Sequence, residues 1–516
     1  MTLSFSVDGR EVSVADDGAS LLEVLRDRLG LRSAKDGCSP QGQCGCCTVL
    51  VDGAPRVSCV TPARRVAGRS VTTLEGLGAA ERDDWAERFC ATGASQCGFC
   101  TPGIIVRLSG LRAKGVAPDD EAAVERALAA HLCRCTGWRT IVEAYGATAD
   151  EVSAAGAGRD LDAASRRAAL EGGVPQQVAP AVALGRAGFA DDTAPADALV
   201  AVRAADGEWV VGETLSEARE RSGKRQGRRT TAALGHPVDV PEGEWAATLR
   251  TTWVEPAYLE PDASWCAPGG APTSPLANGG AFGGKSASEV GAVARRLADE
   301  HGRPVRVLLS REDTVRLGPK RPPVAGGADA SGHGVLRVAR TPGIADAVAA
   351  VAPGLTVEQV AIVGPHTSAA LRAAGWAEAA VLVGAATGVA EVRSPGGATA
   401  EAEINPDGLR VRVACGDPLD EVVLRSYCIG AAHMALGWVT SEGLVVDDDG
   451  EVHDLTIRSF GVLRAADTPH VEVELDGGTG APVNGSDAVF AAVALAVWRH
   501  QGLPPAWPTG VALSAS

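Results

Sequence analysis

Aromatic side chains are scarce in this chain of 516 residues, where Phe, Trp and Tyr together make up 4% of the total. A surface that stacks nucleic-acid bases needs exposed rings, so this scarcity argues against one. Positive charge is also in deficit, because 64 acidic residues outweigh 48 lysines and arginines and give a net charge of -16. Such a chain repels phosphates, and we therefore expect no nucleic-acid partner.

Long apolar runs are missing as well. No stretch approaches the roughly 20 apolar residues of a membrane-spanning helix, so we expect no membrane span. The N-terminus, MTLSFSVDGREVSVADD, alternates apolar and polar residues and has neither the basic start nor the apolar core of a signal peptide. These features predict a cytoplasmic protein, in which cysteines serve metal or redox chemistry rather than disulfides.

Residues 1–78 carry the signals of a small α+β unit. Asp-Gly pairs at residues 8–9 and 52–53 predict two strand hairpins. Between them, Ser20 precedes a helical apolar stripe and is placed to cap it. Hairpin, helix, loop and further strands in this order are typical of a plant-type ferredoxin β-grasp.

The rest of the chain divides into three parts by its periodicity. Residues 79–150 show four helical patterns, one of them with Asp119 as its expected N-cap, and predict a helical bundle. Residues 151–185 are rich in Ala and Gly with weak periodicity, which predicts a linker. Residues 186–516 mix strand patterns with helix patterns, so a multidomain α+β protein ending in a mixed α/β region is expected.

Most of the 13 cysteines fall into two groups. Four thiolates can hold a 2Fe–2S cluster, and the plant-type spacing is C-x4-C-x2-C with a distant fourth ligand. The first group has x5 in place of x4, interleaved glycines that let a loop bend around a cluster, and a surplus thiol at Cys46. On spacing alone a structural zinc site stays an alternative, because C-x2-C is also a zinc half-site. The candidate metal ligands are Cys38, Cys44, Cys47 and Cys59 in the first group, and Cys97, Cys100, Cys133 and Cys135 in the second.

The words around these cysteines identify a family. GCSPQGQCGCCTVLVDG (37–53), QCGFCTPGI (96–104) and HLCRCTGW (131–138) resemble the 2Fe–2S small subunit of the molybdenum hydroxylases, which include xanthine dehydrogenase, aldehyde oxidase and carbon monoxide dehydrogenase. The resemblance covers residues 1–150 and implies two 2Fe–2S clusters, one in the ferredoxin domain and one in a four-helix bundle. It also implies that Gln96 contacts a molybdopterin.

A second resemblance lies in residues 186–516. NGGAFGGK (278–285) is a glycine loop that could present backbone N–H groups to an anionic ligand ahead of a helix expected at 287–300, although an ordinary turn has the same composition. The loop is similar to the GGGFGGK word of the family's large, molybdopterin-binding subunit. This resemblance implies four cofactor-binding residues, namely Gly280, Phe282, Gly283 and Gly284.

Three departures accompany the second resemblance. VNGSDAVFAA (483–492) stands where the family has a GxGE turn, so Asp487 takes the place of the catalytic glutamate as the implied base. The family's GQG word is absent, and the span before the glycine loop is short. We therefore interpret residues 186–516 as a reduced molybdopterin-binding domain of the xanthine dehydrogenase type.

Two functions follow from these resemblances. In the first, the chain is a molybdenum hydroxylase-type dehydrogenase or oxidase, in which electrons from hydroxylation of an aldehyde or N-heterocycle pass from a molybdopterin through both clusters. In the second, it is an electron-transfer subunit whose C-terminal half is a non-catalytic scaffold for a separate molybdenum-bearing chain. Because no flavin domain is recognisable, both imply an FAD-binding subunit or a soluble acceptor, within an oligomeric complex.

Overall fold

The computed structural model describes residues 2–223, 232–274, 279–285 and 288–513. Asn278, the first residue of the glycine word, and residue 287, where the sequence places the start of the next helix, lie outside the described ranges.

The N-terminal unit is a five-stranded sheet in the order β2-β1-β5-β3-β4. Its strands are β1 (Thr2–Val7), β2 (Arg10–Ala15), β3 (Thr48–Val51), β4 (Ala54–Val57) and β5 (Ser70–Thr72). Both predicted hairpins are confirmed, since β1 pairs with β2 and β3 with β4 in antiparallel fashion. The first turn residues, Asp8 and Asp52, take positive φ angles of 52° and 48°, which Asp tolerates beside Gly.

One short helix lies across this sheet. Helix α1 (Leu21–Glu23) continues as a π turn over Val24–Arg28 and buries its leucines. Ser20 caps it as predicted, because its hydroxyl accepts a hydrogen bond from the Glu23 N–H at 3.2 Å. The following loop carries Cys38, Cys44, Cys46 and Cys47.

Four helices then form the predicted bundle, with Trp85, Phe89, Ile104 and Leu108 buried. They are α2 (Ala79–Thr92), α3 (Thr101–Arg112), α4 (Glu121–Leu128) and α5 (Arg139–Gly146). Asp120, rather than the predicted Asp119, caps α4, since it is the Asp120 carboxylate that accepts from the Ala123 N–H at 2.9 Å.

Residues 151–185 are helical and packed rather than a loose connection. Arg167 and Glu171 are fully buried and form an ion pair at 3.0 Å, and the Arg167 Nε donates to the Pro418 carbonyl at 2.8 Å. The Ala-rich composition did not predict this packing, because the buried contacts are made by two charged residues. The helices that begin in this segment or just before it are α6 (Ala149–Gly156), α7 (Leu161–Gly172) and α8 (Pro180–Ala183).

The C-terminal region contains three four-stranded sheets among the described residues, with orders β7-β6-β10-β9, β13-β12-β11-β8 and β14-β15-β16-β17. Their strands are β6 (Leu199–Arg203), β7 (Trp209–Gly212), β8 (Ala247–Arg250), β9 (Ala263–Cys266), β10 (Val305–Leu308), β11 (Val324–Ala328), β12 (Gly334–Ala339), β13 (Leu355–Val360), β14 (Val392–Arg393), β15 (Thr399–Asn405), β16 (Gly408–Ala414) and β17 (Val471–Asp476).

Helices cover these sheets. They are α9 (Leu215–Ser222), α10 (Val290–His301), α11 (Arg311–Leu317), α12 (Ile344–Ala349), α13 (Trp376–Thr387), α14 (Glu421–Thr440) and α15 (Ser486–His500). By length and composition α14 could cross a membrane, contrary to the sequence expectation, but 89% of its apolar stretch is buried inside the protein. That burial is typical of a core helix, and α14 packs along α15 and against the helical bundle.

A charged strap joins the ferredoxin unit to the rest of the chain. Asp191 and Asp192 accept hydrogen bonds from the Arg26 guanidinium at 2.6 and 2.9 Å, and Asp192 also pairs with the buried Lys35 ammonium. The Arg306 and Arg26 guanidiniums lower the pKa of Asp191 to about 2 despite its burial. The Asp191 carboxylate therefore stays ionised at neutral pH, and the ion pairs of both aspartates fix this interface.

Candidate metal centres

The first cysteine group is gathered beneath the loop that links α1 to β3. Cys38, Cys44 and Cys47 lie on that loop, while Cys59 lies in a short 3-10 turn after β4, and all four are buried. The Cys38 thiol is within hydrogen-bond distance of those of Cys44 and Cys59, and the Cys59 thiol also reaches Cys47. The structure thus brings together all four predicted ligands of the first cluster.

Backbone N–H groups point at these sulfurs. The amides of Gln41 and Gln43 lie 3.3 and 3.4 Å from Cys38 Sγ, and the amide of Cys59 lies 3.5 Å from Cys47 Sγ. Such donors stabilise thiolates and are the usual surroundings of an iron–sulfur cluster. The hydrogen bonds that these thiols share act in opposite directions, because they lower the pKa of Cys38, which accepts, and raise the pKa of Cys59, which donates.

Cys46 is the fifth thiol of this group. It is fully buried, its sulfur contacts that of Cys44, and its Sγ lies 3.8 Å from the Cys44 carbonyl oxygen. Burial raises its pKa, so it behaves as a neutral thiol beside the other four. Its assignment as the surplus thiol stays a prediction.

The second cysteine group lies where two helix ends meet. Cys97 and Cys100 precede α3, and Cys133 and Cys135 follow α4. The Cys133 thiol reaches both Cys100 and Cys135, and the sulfurs of Cys135 and Cys97 are 3.6 Å apart. All four predicted ligands of the second cluster are therefore adjacent, with Cys97 the least buried.

The donor chemistry fits two 2Fe–2S clusters. All thirteen cysteines are free thiols, and within the described ranges no group of His, Cys, Asp and Glu is arranged to hold a single metal ion. The thiols are instead linked sulfur to sulfur in two buried sets with amide donors beside the first. Soft thiolate sets of this kind suit iron–sulfur clusters.

The two sets are joined by direct contacts. The Leu132 N–H, one residue before Cys133, donates to the Cys44 carbonyl at 3.0 Å. His131 donates to or accepts from the Thr48 hydroxyl at 3.1 Å, and its ring lies against Gly45. Burial lowers the pKa of His131 to about 3, so the imidazole between the two sets is neutral.

Gln96 is placed beside the second set. Its amide nitrogen donates to the Cys135 carbonyl at 3.0 Å and to the Ser426 hydroxyl on α14 at 2.9 Å. Its amide oxygen is buried with no hydrogen-bond partner among the described residues. That oxygen is the one observation at Gln96 that suits the predicted cofactor contact.

The predicted catalytic region is closed by arginines. Asp487 lies in the first turn of α15 and forms an ion pair with Arg372 at 2.9 Å, and the same guanidinium stacks 4.0 Å from the Phe282 ring. Burial raises the pKa of Asp487, while Arg372 lowers it. Phe282 and Asp487 therefore both contact Arg372. This arginine lies outside the two sequence motifs that resemble the family.

The glycines of the loop lie against protein rather than open space. Gly280 lies in a short 3-10 turn over residues 279–281, and a Cβ on Gly283, which has φ +85°, would collide with the Ala370 carbonyl. A Cβ on Gly284 would lie 2.8 Å from Pro256. These three residues and Phe282 therefore occupy a packed corner beside Arg372.

The cavity at this corner is about 30 Å³ and is lined by Arg321, Arg372, Phe282 and Trp438. Arg321 is itself held by Glu378 at 2.7 Å and stacks on Trp438 at 4.1 Å. Cavities for ligands larger than a few atoms measure roughly 300–1,000 Å³, whereas this one has room for about one water. The described residues here do not fit a molybdopterin.

Sequence reasoning missed the charged residues that shape both regions. Arg134, between two predicted ligands, donates two hydrogen bonds to the buried Glu442 at 2.6 and 2.8 Å. The sequence offered one signal for Arg134, namely its position between Cys133 and Cys135. Arg372 belongs to no motif, and its partner is 115 residues away.

Comparisons with known proteins agree with this geometry. A family model described as "2Fe-2S iron-sulfur cluster binding domain" matches residues 5–70, and one described as "[2Fe-2S] binding domain" matches residues 73–146. The chain is similar to the nicotinate dehydrogenase small FeS subunit of Eubacterium barkeri, with 37% identity over 140 residues, 27% of this chain and 88% of that protein. It is also similar to the nicotine 6-hydroxylase small subunit of Paenarthrobacter nicotinovorans, with 41% identity over 143 residues, 28% of this chain and 86% of that protein.

The fold match extends much further than the sequence match. The aldehyde oxidoreductase of Desulfovibrio gigas superposes with a TM-score of 0.70 at 15% identity, over 96% of this chain and 97% of that chain. The corresponding enzyme of Desulfovibrio desulfuricans gives a TM-score of 0.67 with the same identity and coverage. The predicted order of ferredoxin-like domain, helical domain and mixed α/β sheets is confirmed.

Proposed function

This chain belongs to the molybdenum hydroxylase family through the 2Fe–2S small-subunit region at its N-terminus, and we propose that it is an electron-transfer protein with two clusters in series. The observation that carries the proposal is the Leu132–Cys44 hydrogen bond of 3.0 Å, which joins the two buried thiol sets. Electron transfer favours short, covalent and hydrogen-bonded routes between centres, and the loops supply one.

The chain's own residues hold and shield the centres. Cys38, Cys44, Cys47 and Cys59 would ligate the first cluster, and Cys97, Cys100, Cys133 and Cys135 the second. When bound, each 2Fe–2S cluster takes up and releases one electron. The amides of Gln41 and Gln43 would stabilise charge on Cys38, and the burial of seven of the eight thiols keeps water away.

The C-terminal region is proposed as a scaffold for a separate molybdenum-bearing chain. The support is local, since Arg372 pairs with Asp487 and stacks on Phe282 where the family resemblance placed the reacting groups. The Arg372 guanidinium at 2.9 Å occupies the carboxylate that a proton-abstracting base would have to present to a substrate. The electrons would come from hydroxylation of an aldehyde or N-heterocycle by that partner and would leave to a flavin-bearing subunit or a soluble acceptor.

A second candidate is catalysis by this chain itself, with Asp487 as the base. The observation that favours it is the buried Gln96 amide oxygen without a partner among the described residues, which suits a cofactor contact.

We also propose a cytoplasmic location, because thirteen free thiols suit a reducing compartment.

Metal analysis of the purified chain with fully reconstituted clusters tests the proposal. We expect about four irons per chain, two distinct EPR signals after reduction, and no molybdenum. If the chain instead held stoichiometric molybdenum and acted on aldehydes or N-heterocycles, the scaffold proposal would be wrong and catalysis by this chain would be supported. Absence of both EPR signals from reconstituted protein would overturn electron transfer itself.

A further inference from the structure

A cavity of about 470 Å³ lies between the first thiol set and the β7-β6-β10-β9 sheet. We propose that it binds a small, uncharged quinone that accepts the electrons, an inference that rests on the proposed electron-transfer function. Its volume falls within the roughly 300–1,000 Å³ typical of small-molecule sites. Its walls come from both the ferredoxin unit and the C-terminal region, so neither half forms the site alone.

The cavity lies at a sheet edge that commonly binds ligands. Strands β6 and β10 run parallel, pairing Val202 with Leu308, and their carboxyl ends open into the cavity. In open α/β sheets, ligands bind beyond the carboxyl ends of parallel strands. Helix α9, which follows β7, closes the opposite wall with Arg219 and Ser222.

The other wall is the loop over the first thiol set. Gln41 and Gln43 line the cavity, and their backbone amides donate to Cys38 Sγ at 3.3 and 3.4 Å. Val60, which follows Cys59 directly, lines the cavity too and is 50% exposed. A molecule in the cavity therefore lies within one loop thickness of two predicted ligands of the first cluster.

The lining selects an uncharged ring. Val60, Val202 and Leu308 offer apolar surface to its faces, whereas the acidic side chains of Glu220 and Asp313 would repel phosphate groups. Nucleotide cofactors such as FAD and NAD are disfavoured for that reason. A quinone ring presents two apolar faces and two carbonyl oxygens, which matches this combination.

Arg203 supplies the donor for a carbonyl oxygen. Its ion-pair contacts are long, 3.8 Å to Glu289 and 4.0 Å to Asp313, and its side chain, 24% exposed, lines the cavity. A guanidinium donates charge-assisted hydrogen bonds, which strengthen as negative charge develops on the acceptor. Arg219 is already committed to Asp36 and the Ser39 hydroxyl, at 3.1 and 3.0 Å.

The electron balance is simple. A quinone takes up two electrons, one from each reduced 2Fe–2S centre, and two protons from water, and becomes a hydroquinone. Both centres return to the oxidised state, and no bond to the protein forms or breaks. The hydroquinone then leaves through the open side of the cavity.

Equilibrium dialysis of menadione against the oxidised, cluster-loaded chain tests binding without turnover. We expect saturable binding that weakens at least tenfold in Val60→Trp, which fills the cavity, and in Arg203→Gln, with partial recovery in Arg203→Lys. Val363→Trp, at an exposed valine outside the cavity, is the matched control and keeps wild-type affinity. Iron content and EPR spectra are recorded for every variant.

The dithionite-reduced chain should then reduce one menadione per protein in stopped-flow, with a rate that saturates at the same concentration. Clusters present without saturable menadione binding would overturn the quinone site and leave the electron-transfer proposal standing. Saturable FAD binding in place of menadione would overturn the ligand class. If the clusters did not form, the proposed electron-transfer function would be contradicted. The dialysis measurement would still show whether the cavity binds menadione.

Discussion

The His131 ring occupies the space that a side chain on Gly45 would need, since a Cβ there would lie 2.5 Å from the imidazole Cδ2. Gly45 belongs to the loop of the first thiol set, and His131 lies two residues before Cys133 of the second. The two candidate centres are therefore packed backbone against ring, without room for a methyl group between them.

Gly45→Ala should destabilise the protein by about 2–4 kcal/mol, because its φ of +74° costs about 1–2 kcal/mol for a residue with a Cβ and the collision with His131 adds a similar amount. Gly53→Ala is the matched control, with φ +73° and no heavy atom within 4 Å of its Cβ. Urea unfolding of both variants measures the difference. Equal losses would mean that the His131 contact carries no weight.

Cys46→Ala should retain iron and both EPR signals, because the other four thiols of the first set remain adjacent. Cys44→Ala, two residues away, should lose the signal of the first cluster and about half of the iron. Iron analysis and EPR of the reduced proteins make the comparison. If the EPR signal of the first cluster were lost in Cys46→Ala and kept in Cys44→Ala, Cys46 would be the ligand and Cys44 the surplus thiol.

Arg134→Lys should lower the free energy of unfolding by about 2 kcal/mol, because lysine cannot reproduce the two hydrogen bonds to the buried Glu442. The second cluster should also lose iron at lower denaturant concentration than the first. Arg410→Lys, in an exposed pair with Glu472, should leave the free energy of unfolding nearly unchanged. Similar effects of the two substitutions would contradict a role for Arg134 in anchoring the second set.

Arg372→Met should destabilise the protein in a pH-dependent way. Burial already raises the pKa of Asp487, and removal of the guanidinium that lowers it raises that pKa further. A folded-state pKa above the unfolded value costs stability as pH rises past the unfolded value, near 4, and costs nothing below it. We expect a loss of about 3 kcal/mol at pH 7 that is much reduced near pH 4.

Arg337→Met, in an exposed pair with Glu358, provides the reference for that measurement and should cost less than about 1 kcal/mol at both pH values. Thermal unfolding of the two variants across pH 4–8 gives the comparison. A loss that does not depend on pH would show that Arg372 acts through packing on Phe282 rather than through the charge of Asp487.

Local sequence signals predicted the N-terminal part well, because its turns and caps are made by neighbouring residues. Asp8-Gly9, Asp52-Gly53 and the Ser20 cap all act within a few positions and were correct. The cysteine groups were predictable for a similar reason, since metal ligands need a fixed residue type at short spacing. The α4 cap differed by one residue.

The C-terminal region was harder to predict, because its contacts join distant residues. Strand β8 pairs with β11 from 77 residues later, and Arg372 finds Asp487 over 115 residues. The packed helices in residues 151–185 were hidden by an Ala-rich composition that fits both helix and linker. Periodicity reports which face of an element is buried, and it carries no information on which distant element covers that face.

The strap that places Asp191 and Asp192 on Arg26 and Lys35 also bears on assembly. In the two curated relatives described above, the corresponding region is named as a small subunit, a chain of its own. Here the same region is covalently tethered, so its docking is intramolecular and independent of protein concentration. Dilution therefore cannot separate the two halves, and every chain carries one C-terminal half together with one pair of candidate centres.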